Sequence, residues 1–227
     1  MIGIIGAMDI EVENLKNAVI NKQVKTVSGI DFVSGKIGET DVVIAKAGVG
    51  KVNAAVCAQT MILLYGPDAV INTGVAGSLS EKVGVGDIVV ATATVQHDMD
   101  TSPLGDPVGF ISGINMVELP CDKSVHEKLL ACAKKAEGIA LETGIIASGD
   151  IFLNSLDIKN KIVSNFGAIA GEMEGGSIGQ VCVINNTPYC VLRAISDNAD
   201  GSSHVDYPTF VAKAAQVSTD IMLEFLK

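Results

Sequence analysis

Apolar and polar positions follow two different spacings along this chain. Short, nearly unbroken apolar stretches recur at 2–6, 41–47, 69–73, 87–92, 143–147, 168–170 and 188–195. They are too short for helices, and they predict buried strands. Between them, apolar residues return at three- and four-residue intervals. That spacing predicts helices over 9–20, 51–65, 122–137, 155–165 and 206–226, and another after Glu172-Met173-Glu174. In the first helix, Ile10, Leu15 and Val19 are expected to face the core. Strands alternating with helices predict a mostly parallel sheet covered on both faces. No low-complexity linker or internal repeat interrupts the alternation, so residues 1–227 are expected to form a single domain. Only 97–120 breaks the pattern, with Pro103, Gly105, Pro107, Gly109 and Gly113. A long loop is expected there, and such loops often bind something.

Composition narrows the class. With 227 residues, 48% hydrophobic and 19% charged, the chain is a well-buried globular protein. Its apolar runs are too short to span a bilayer, and no basic leader precedes the first strand, which argues against a signal peptide. A formal charge of -10 without a lysine-rich patch argues against nucleic acid and against an anionic membrane as partners. The five cysteines are widely spaced and contain no C-x-x-C pair. They read as reduced thiols of a cytoplasmic protein.

Candidate chemistry begins at Arg193, the only arginine. With Asp197 it ends the apolar run 189–192, and charges at the end of a buried strand are costly unless paired or used. Strand ends are also where α/β folds place ligands. A carboxyl at such a mouth can keep its proton near neutral pH and serve as an acid. Glu172 and Glu174 flank Met173 at another strand end. If the strand persists, both point to one face, and the proximity raises at least one pKa. Glu11 and Glu13 open the first helix, where acidic residues suit the helix dipole without any further role. Gly48-Val49-Gly50-Lys51 lacks the third glycine of a dinucleotide fingerprint and is not a P-loop, so a tight strand-to-helix turn is the simpler reading. Asn72-Thr73-Gly74-Val75-Ala76-Gly77 reads as a small-residue turn whose backbone N–H groups a ligand can approach. His97-Asp98-Met99-Asp100 resembles a metal cluster only superficially, because no H-x-x-x-H or thiolate pair accompanies it. No G-x-S-x-G elbow supports covalent catalysis.

Taken together, several of these segments resemble the bacterial 5'-methylthioadenosine/S-adenosylhomocysteine nucleosidases of the nucleoside phosphorylase superfamily. They are Ile4-Ile5-Gly6-Ala7-Met8-Asp9-Ile10-Glu11-Val12, the 72–77 segment, Val85-Gly86-Asp87-Ile88-Val89-Val90, Ser148-Gly149-Asp150-Ile151-Phe152, Glu172-Met173-Glu174 and Arg193-Ala194-Ile195-Ser196-Asp197. Their order and spacing cover essentially the whole chain. The resemblance implies a single-domain, three-layer α/β fold around a central mixed, partly barrel-like sheet surrounded by helices. It implies hydrolysis of 5'-methylthioadenosine and S-adenosylhomocysteine, and of 5'-deoxyadenosine, in methionine salvage and recycling of S-adenosylmethionine by-products. It implies no cofactor and no metal, and a homodimer whose partner helps close the site.

Residue by residue, the resemblance makes Asp197 the general acid to purine N7, oriented by Ser196, and Glu11 the base for water. Glu174 would hold the ribose hydroxyls with Met173 against the sugar, and Arg193 would lie near the ribose and the water. Phe152 would stack on adenine, Leu153 would read its edge, Gly77 would offer a backbone contact, and Tyr207 would sit beside the base where phenylalanine is usual. Val75 and the loop 101–106 depart from the family pattern, which opens the preference for the 5'-substituent. Three other readings stand beside this one. A purine nucleoside phosphorylase is disfavoured because a multi-arginine phosphate clamp is impossible here. A non-catalytic nucleoside-binding protein would not need both Glu11 and Asp197. A 6-amino-6-deoxyfutalosine hydrolase is compatible with the same residues.

Overall fold

Strands buried on both faces should carry apolar residues at consecutive positions, and the central strands of the sheet are of this kind. The computed structural model describes residues 1–136, 138–200 and 203–227, those at 203–206 by backbone alone. In chain order the elements are β1 (Ile2–Gly6), α1 (Asp9–Ala18), β2 (Ile20–Val27), β3 (Ile30–Ile37), β4 (Thr40–Lys46), α2 (Lys51–Tyr65) and β5 (Ala69–Ser78). Then come β6 (Ile88–Gln96), β7 (Leu119–Pro120), α3 (Lys123–Ala133), β8 (Leu141–Ser148), α4 (Leu156–Phe166), β9 (Ala170–Glu172), α5 (Gly175–Ile184), β10 (Tyr189–Asp197) and α6 (Ser203–Phe225).

One mixed sheet takes in every strand. From β5 it runs outward through β1, β4, β3 and β2. On the other side β5, β10, β6, β8 and β9 pair in a ring that returns to β5. The sheet is therefore open at one end and closed into a barrel at the other. β5 lies at the junction, bonded to β1, β10 and β9.

Successive side chains on a strand point to opposite faces, and here they feed two cores. Ile4, Ile44, Ile71 and Leu192 pack with Val12 and Leu15 of α1 and Met222 and Phe225 of α6. Their neighbours Ile5, Val43, Val70 and Val191 pack with Cys57 and Met61 of α2 and Ile178 of α5. The result is three layers, helices–sheet–helices.

The structure corrects the sequence reading in several places. The hairpin β2–β3 has no counterpart in it; its outer strand is exposed along almost its whole length, so no apolar pattern marks it. Its turn, Ser28-Gly29, has positive φ at both positions, the geometry that suits a two-residue hairpin. Residues 74–77 are not a turn but the last part of β5, buried throughout. β9 ends at Glu172, and Glu174 is the N-cap of α5, so strand alternation does not align the two carboxylates. α3 stops at Ala133; Glu137, the last residue of the expected helix, lies outside the described residues. Ile10 faces solvent, while Glu11, Val12 and Leu15 face inward. Among the described residues, no helix is long and apolar enough to cross a membrane.

Candidate active site

The carboxyl ends of β1, β5, β9 and β10 converge where the barrel meets the open sheet. A cavity of about 180 Å³ lies there. Gly77, Phe152, Leu153, Met173, Glu174, Ser196, Asp197 and Tyr207 all line it, with Met8, Val49, Val75 and Ile151 among the rest. Glu11 and Arg193 do not line it. They lie directly behind the wall, almost wholly buried.

Glu11 is held from three sides. Its Oε2 accepts the N–H groups of Ala7 at 2.7 Å and Met8 at 3.0 Å, and its Oε1 accepts that of Val75 at 3.0 Å. The donors are at the start of α1 and in β5, so the same carboxylate caps its own helix and joins it to the sheet. A strand glycine leaves room for this. A Cβ at Gly74 would stand 2.3 Å from both Glu11 Oε1 and Arg193 Nη1, so only glycine lets these two side chains cross the strand.

Arg193 has no exposed surface. Its Nη2 donates to Asn72 Oδ1 and to Glu172 Oε2, and lies 3.5 Å from Glu174 Oε2. Burial alone would pull its pKa down, but Glu172, Glu174 and Glu11 outweigh that and hold it above its ordinary value. Its Nε and Nη1 are buried with no partner among the described residues.

Glu172 was noticed in the sequence only as half of a carboxylate pair. It is the main anchor of the arginine. It also accepts the Ser148 hydroxyl and the N–H groups of Glu174 at 3.0 Å and Gly175 at 2.8 Å, which caps α5. Glu174 accepts the N–H of Gly50 at 2.8 Å. Burial, followed by the charge of Glu172, pushes the Glu174 carboxyl up to about 7. The expectation that one of this pair would be raised is met by Glu174. The turn 48–51, read as merely structural, thus supplies a wall residue, Val49, and a donor to Glu174.

Asp197 ends β10. Its Oδ1 accepts the N–H of Ala199 at 2.9 Å, and its Oδ2 accepts the Ser196 hydroxyl at 3.0 Å. A Cβ at Gly77 would come within 3.0 Å of Asp197 Oδ1. Phe152, 47% exposed, meets the Tyr207 ring edge-on at 5.6 Å between centroids. The Tyr207 hydroxyl donates to the Met8 sulfur at 3.2 Å. Burial, reinforced by Glu11, Asp197 and Glu174, keeps that phenol above its ordinary pKa and so protonated.

Val75, one of the departures noted in the sequence, lines the cavity; residues 101–106 do not. Among the described residues, no group of His, Cys, Asp or Glu is arranged to hold a metal ion. Carboxylates dominate the charge: Glu172, Glu174 and Glu11 act on one guanidinium, and Asp197 lines the same cavity. Such a site favours cationic character in whatever it binds.

The whole chain, residues 1–227, matches the phosphorylase superfamily. It is 36% identical to a 5'-methylthioadenosine/S-adenosylhomocysteine nucleosidase of Staphylococcus saprophyticus, over 100% of this chain and 99% of that protein. Among solved structures, the nucleosidase of the same name from Neisseria meningitidis, in complex with methylthio-immucillin-A, superimposes with a TM-score of 0.96. It is 34% identical, over 100% of this chain and 98% of that one. A futalosine hydrolase of Helicobacter pylori superimposes with a TM-score of 0.93, at 36% identity over 99% of this chain and 96% of that one. The chain belongs to the phosphorylase superfamily and, within it, to the family of bacterial 5'-methylthioadenosine/S-adenosylhomocysteine nucleosidases.

Proposed function

We propose that this chain hydrolyses the N-glycosidic bond of 5'-methylthioadenosine and S-adenosylhomocysteine, releasing adenine and the 5-substituted ribose. One observation carries the reading. Glu11, Glu174, Arg193 and Asp197 come from separate parts of the chain and gather in and directly behind one cavity wall. Asp197, steadied by Ser196, delivers a proton to purine N7 as the C–N bond breaks. The base then leaves neutral, an effect worth about 10²–10⁴ in rate. Positive charge develops on the sugar, and the surrounding carboxylates stabilise it. Glu11 takes a proton from the water that attacks C1', and Arg193, whose Nε and Nη1 are buried without a partner among the described residues, is assigned the place behind the ribose and that water. Glu174 accepts the ribose hydroxyls, with Met173 against the sugar. Phe152 and Tyr207 flank adenine, and Leu153 and Gly77 meet it through the backbone. The reaction serves methionine salvage and the recycling of S-adenosylmethionine by-products.

The lone arginine weighs against phosphorolysis. Its Nη2 is already engaged by Asn72 and Glu172, and the carboxylates around it would repel phosphate. The Helicobacter pylori likeness favours a second reading, hydrolysis of 6-amino-6-deoxyfutalosine at the same site. Product analysis decides among these. With 5'-methylthioadenosine or S-adenosylhomocysteine, adenine and a free reducing sugar are expected at rates independent of phosphate. A sugar 1-phosphate formed only with phosphate would make the enzyme a phosphorylase. Turnover of 6-amino-6-deoxyfutalosine alone would establish the second reading.

We further propose a homodimer, built on α2. Val52, Val56 and Leu63 fall within a narrow arc of that helix, and Val52 and Leu63 are each 74% exposed. The stripe continues through exposed Val49 to Ile151 and Phe152 at the cavity mouth. A second copy covering it would also close the site. Leu63→Asp is expected to convert the dimer to monomer in analytical ultracentrifugation and to lower activity with it; an unchanged sedimentation coefficient would place the interface elsewhere. The chain is read as one domain, supported by the single sheet that includes every strand. It is read as cytoplasmic, supported by five free cysteines.

A further inference from the structure

One network beside the site has no part in the chemistry above. Helix α2 has no acidic residue of its own in the first turn to meet the N–H groups of Gly50, its N-cap, and Lys51. Both donors take carboxylates from elsewhere: Gly50 N–H binds Glu174 Oε1 at 2.8 Å, and Lys51 N–H binds Asp150 Oδ1 at 2.8 Å. Asp98 ties the assembly together. Its Oδ1 accepts the Lys51 ammonium at 2.6 Å, and its Oδ2 accepts the Asp150 N–H at 2.9 Å. Lys51 also donates to Gln96 at 3.2 Å, and Gln96 donates to Gln180 of α5 at 2.7 Å. The Lys51 and Asp98 side chains are only 20% and 19% exposed, so this pair is shielded more than an ordinary surface bridge. Burial would raise the Asp98 pKa, but Lys51 and the Asp150 N–H outweigh it and hold it below its ordinary value.

We propose that Lys51, Asp98 and Asp150 are positioning residues, which hold the start of α2 against Glu174 so that the Gly50 N–H stays bonded to the carboxylate that takes the ribose hydroxyls. The inference rests on the reading of Glu174 as the ribose carboxylate. Four elements present groups to Glu174: Glu172 from β9, Glu11 from α1, Arg193 from β10 and the Gly50 N–H from α2. The first two and burial favour its proton; the last two oppose it. Loss of the Gly50 N–H bond moves that balance further toward the proton. An ionised carboxylate accepts from both hydroxyls at once, whereas a protonated one must turn a donor toward them. Glycine is required at position 50 as well: its φ is +98°, and a Cβ would come within 3.0 Å of Asp150 Oδ1.

The test is the pH dependence of kcat/KM for 5'-methylthioadenosine and for its 2',3'-dideoxy analogue. The sign follows from the direction of the shift: Glu174 is raised, so ribose recognition is intact on the alkaline side and fades as pH falls through about 7. Asp98→Asn and Lys51→Met should move the Glu174-dependent acid limb upward by about half a unit, about a threefold further loss on that limb. Lys51→Arg should restore it, and the dideoxy analogue should show no shift. Two variants on opposite sides of the ion pair guard against one that fails to fold. Unshifted limbs in both, or equal shifts with the dideoxy analogue, would overturn the inference. A wild-type limb that survives Glu174→Gln would remove the ribose reading, and this inference with it.

Discussion

Asp197→Asn is expected to lower kcat by about 10²–10⁴ while leaving the fold and nucleoside binding nearly unchanged. The geometry explains why the two effects separate. Among the described residues, Asp197 accepts two local bonds, one from the Ala199 N–H and one from the Ser196 hydroxyl. An asparagine oxygen can still accept the N–H, and the serine hydroxyl can turn to accept from the new amide. The shape therefore survives, and only the transferable proton is lost. The diagnostic comparison uses two leaving groups. Adenine needs protonation at N7 to depart, so 5'-methylthioadenosine should show the full loss. A 4-nitrophenyl riboside leaves without it and should be much less affected. Near-wild-type turnover of 5'-methylthioadenosine would remove Asp197 from the acid role, and equal losses on both substrates would point to a positional defect.

The sequence revealed the central strands because their chemistry is unambiguous. Ile4-Ile5, Val42-Val43-Ile44 and Val191-Leu192 serve two cores at once, so no polar residue is tolerated between them. β2 lacked that constraint. Its residues from Ile20 to Thr26 are exposed, and backbone pairing to β3 holds it without leaving an apolar signature.

Other misreadings came from the site itself. Gly74 and Gly77 suggested a turn, but in a strand they make space: one for Glu11 and Arg193, the other for Asp197 and Ala199. Hydrophobic spacing put Ile10 inward, yet the inward place belongs to Glu11, whose three N–H donors offset the burial of a charge. Glu172 showed its proximity to Glu174 in the sequence. Its grip on Arg193 and on the start of α5 depends on long-range partners that no local pattern encodes. Functional residues were thus visible as types, while the groups that hold them were not.

Glu11→Gln brings these points together, because it should cost both activity and stability. Turnover is expected to fall by about 10²–10⁴, since glutamine cannot take a proton from water. The structural cost comes from the same three hydrogen bonds. Glutamine has one acceptor oxygen, which can serve Ala7 and Met8 but leaves its NH₂ facing the Val75 N–H. A buried donor then lacks an acceptor, at about 1–3 kcal/mol. In a chain of this size each kcal/mol lowers Tm by roughly 2–4 °C. A measurable fall in Tm should therefore accompany the fall in kcat, unlike Asp197→Asn. To separate base from scaffold, Glu11→Ala should be assayed with azide. An anionic nucleophile needs no base, so a glycosyl azide should form and part of the lost rate should return. If azide restores nothing while the variant still binds nucleoside, Glu11 is chiefly the clamp that joins α1 to β5, and the proton from water goes to another group.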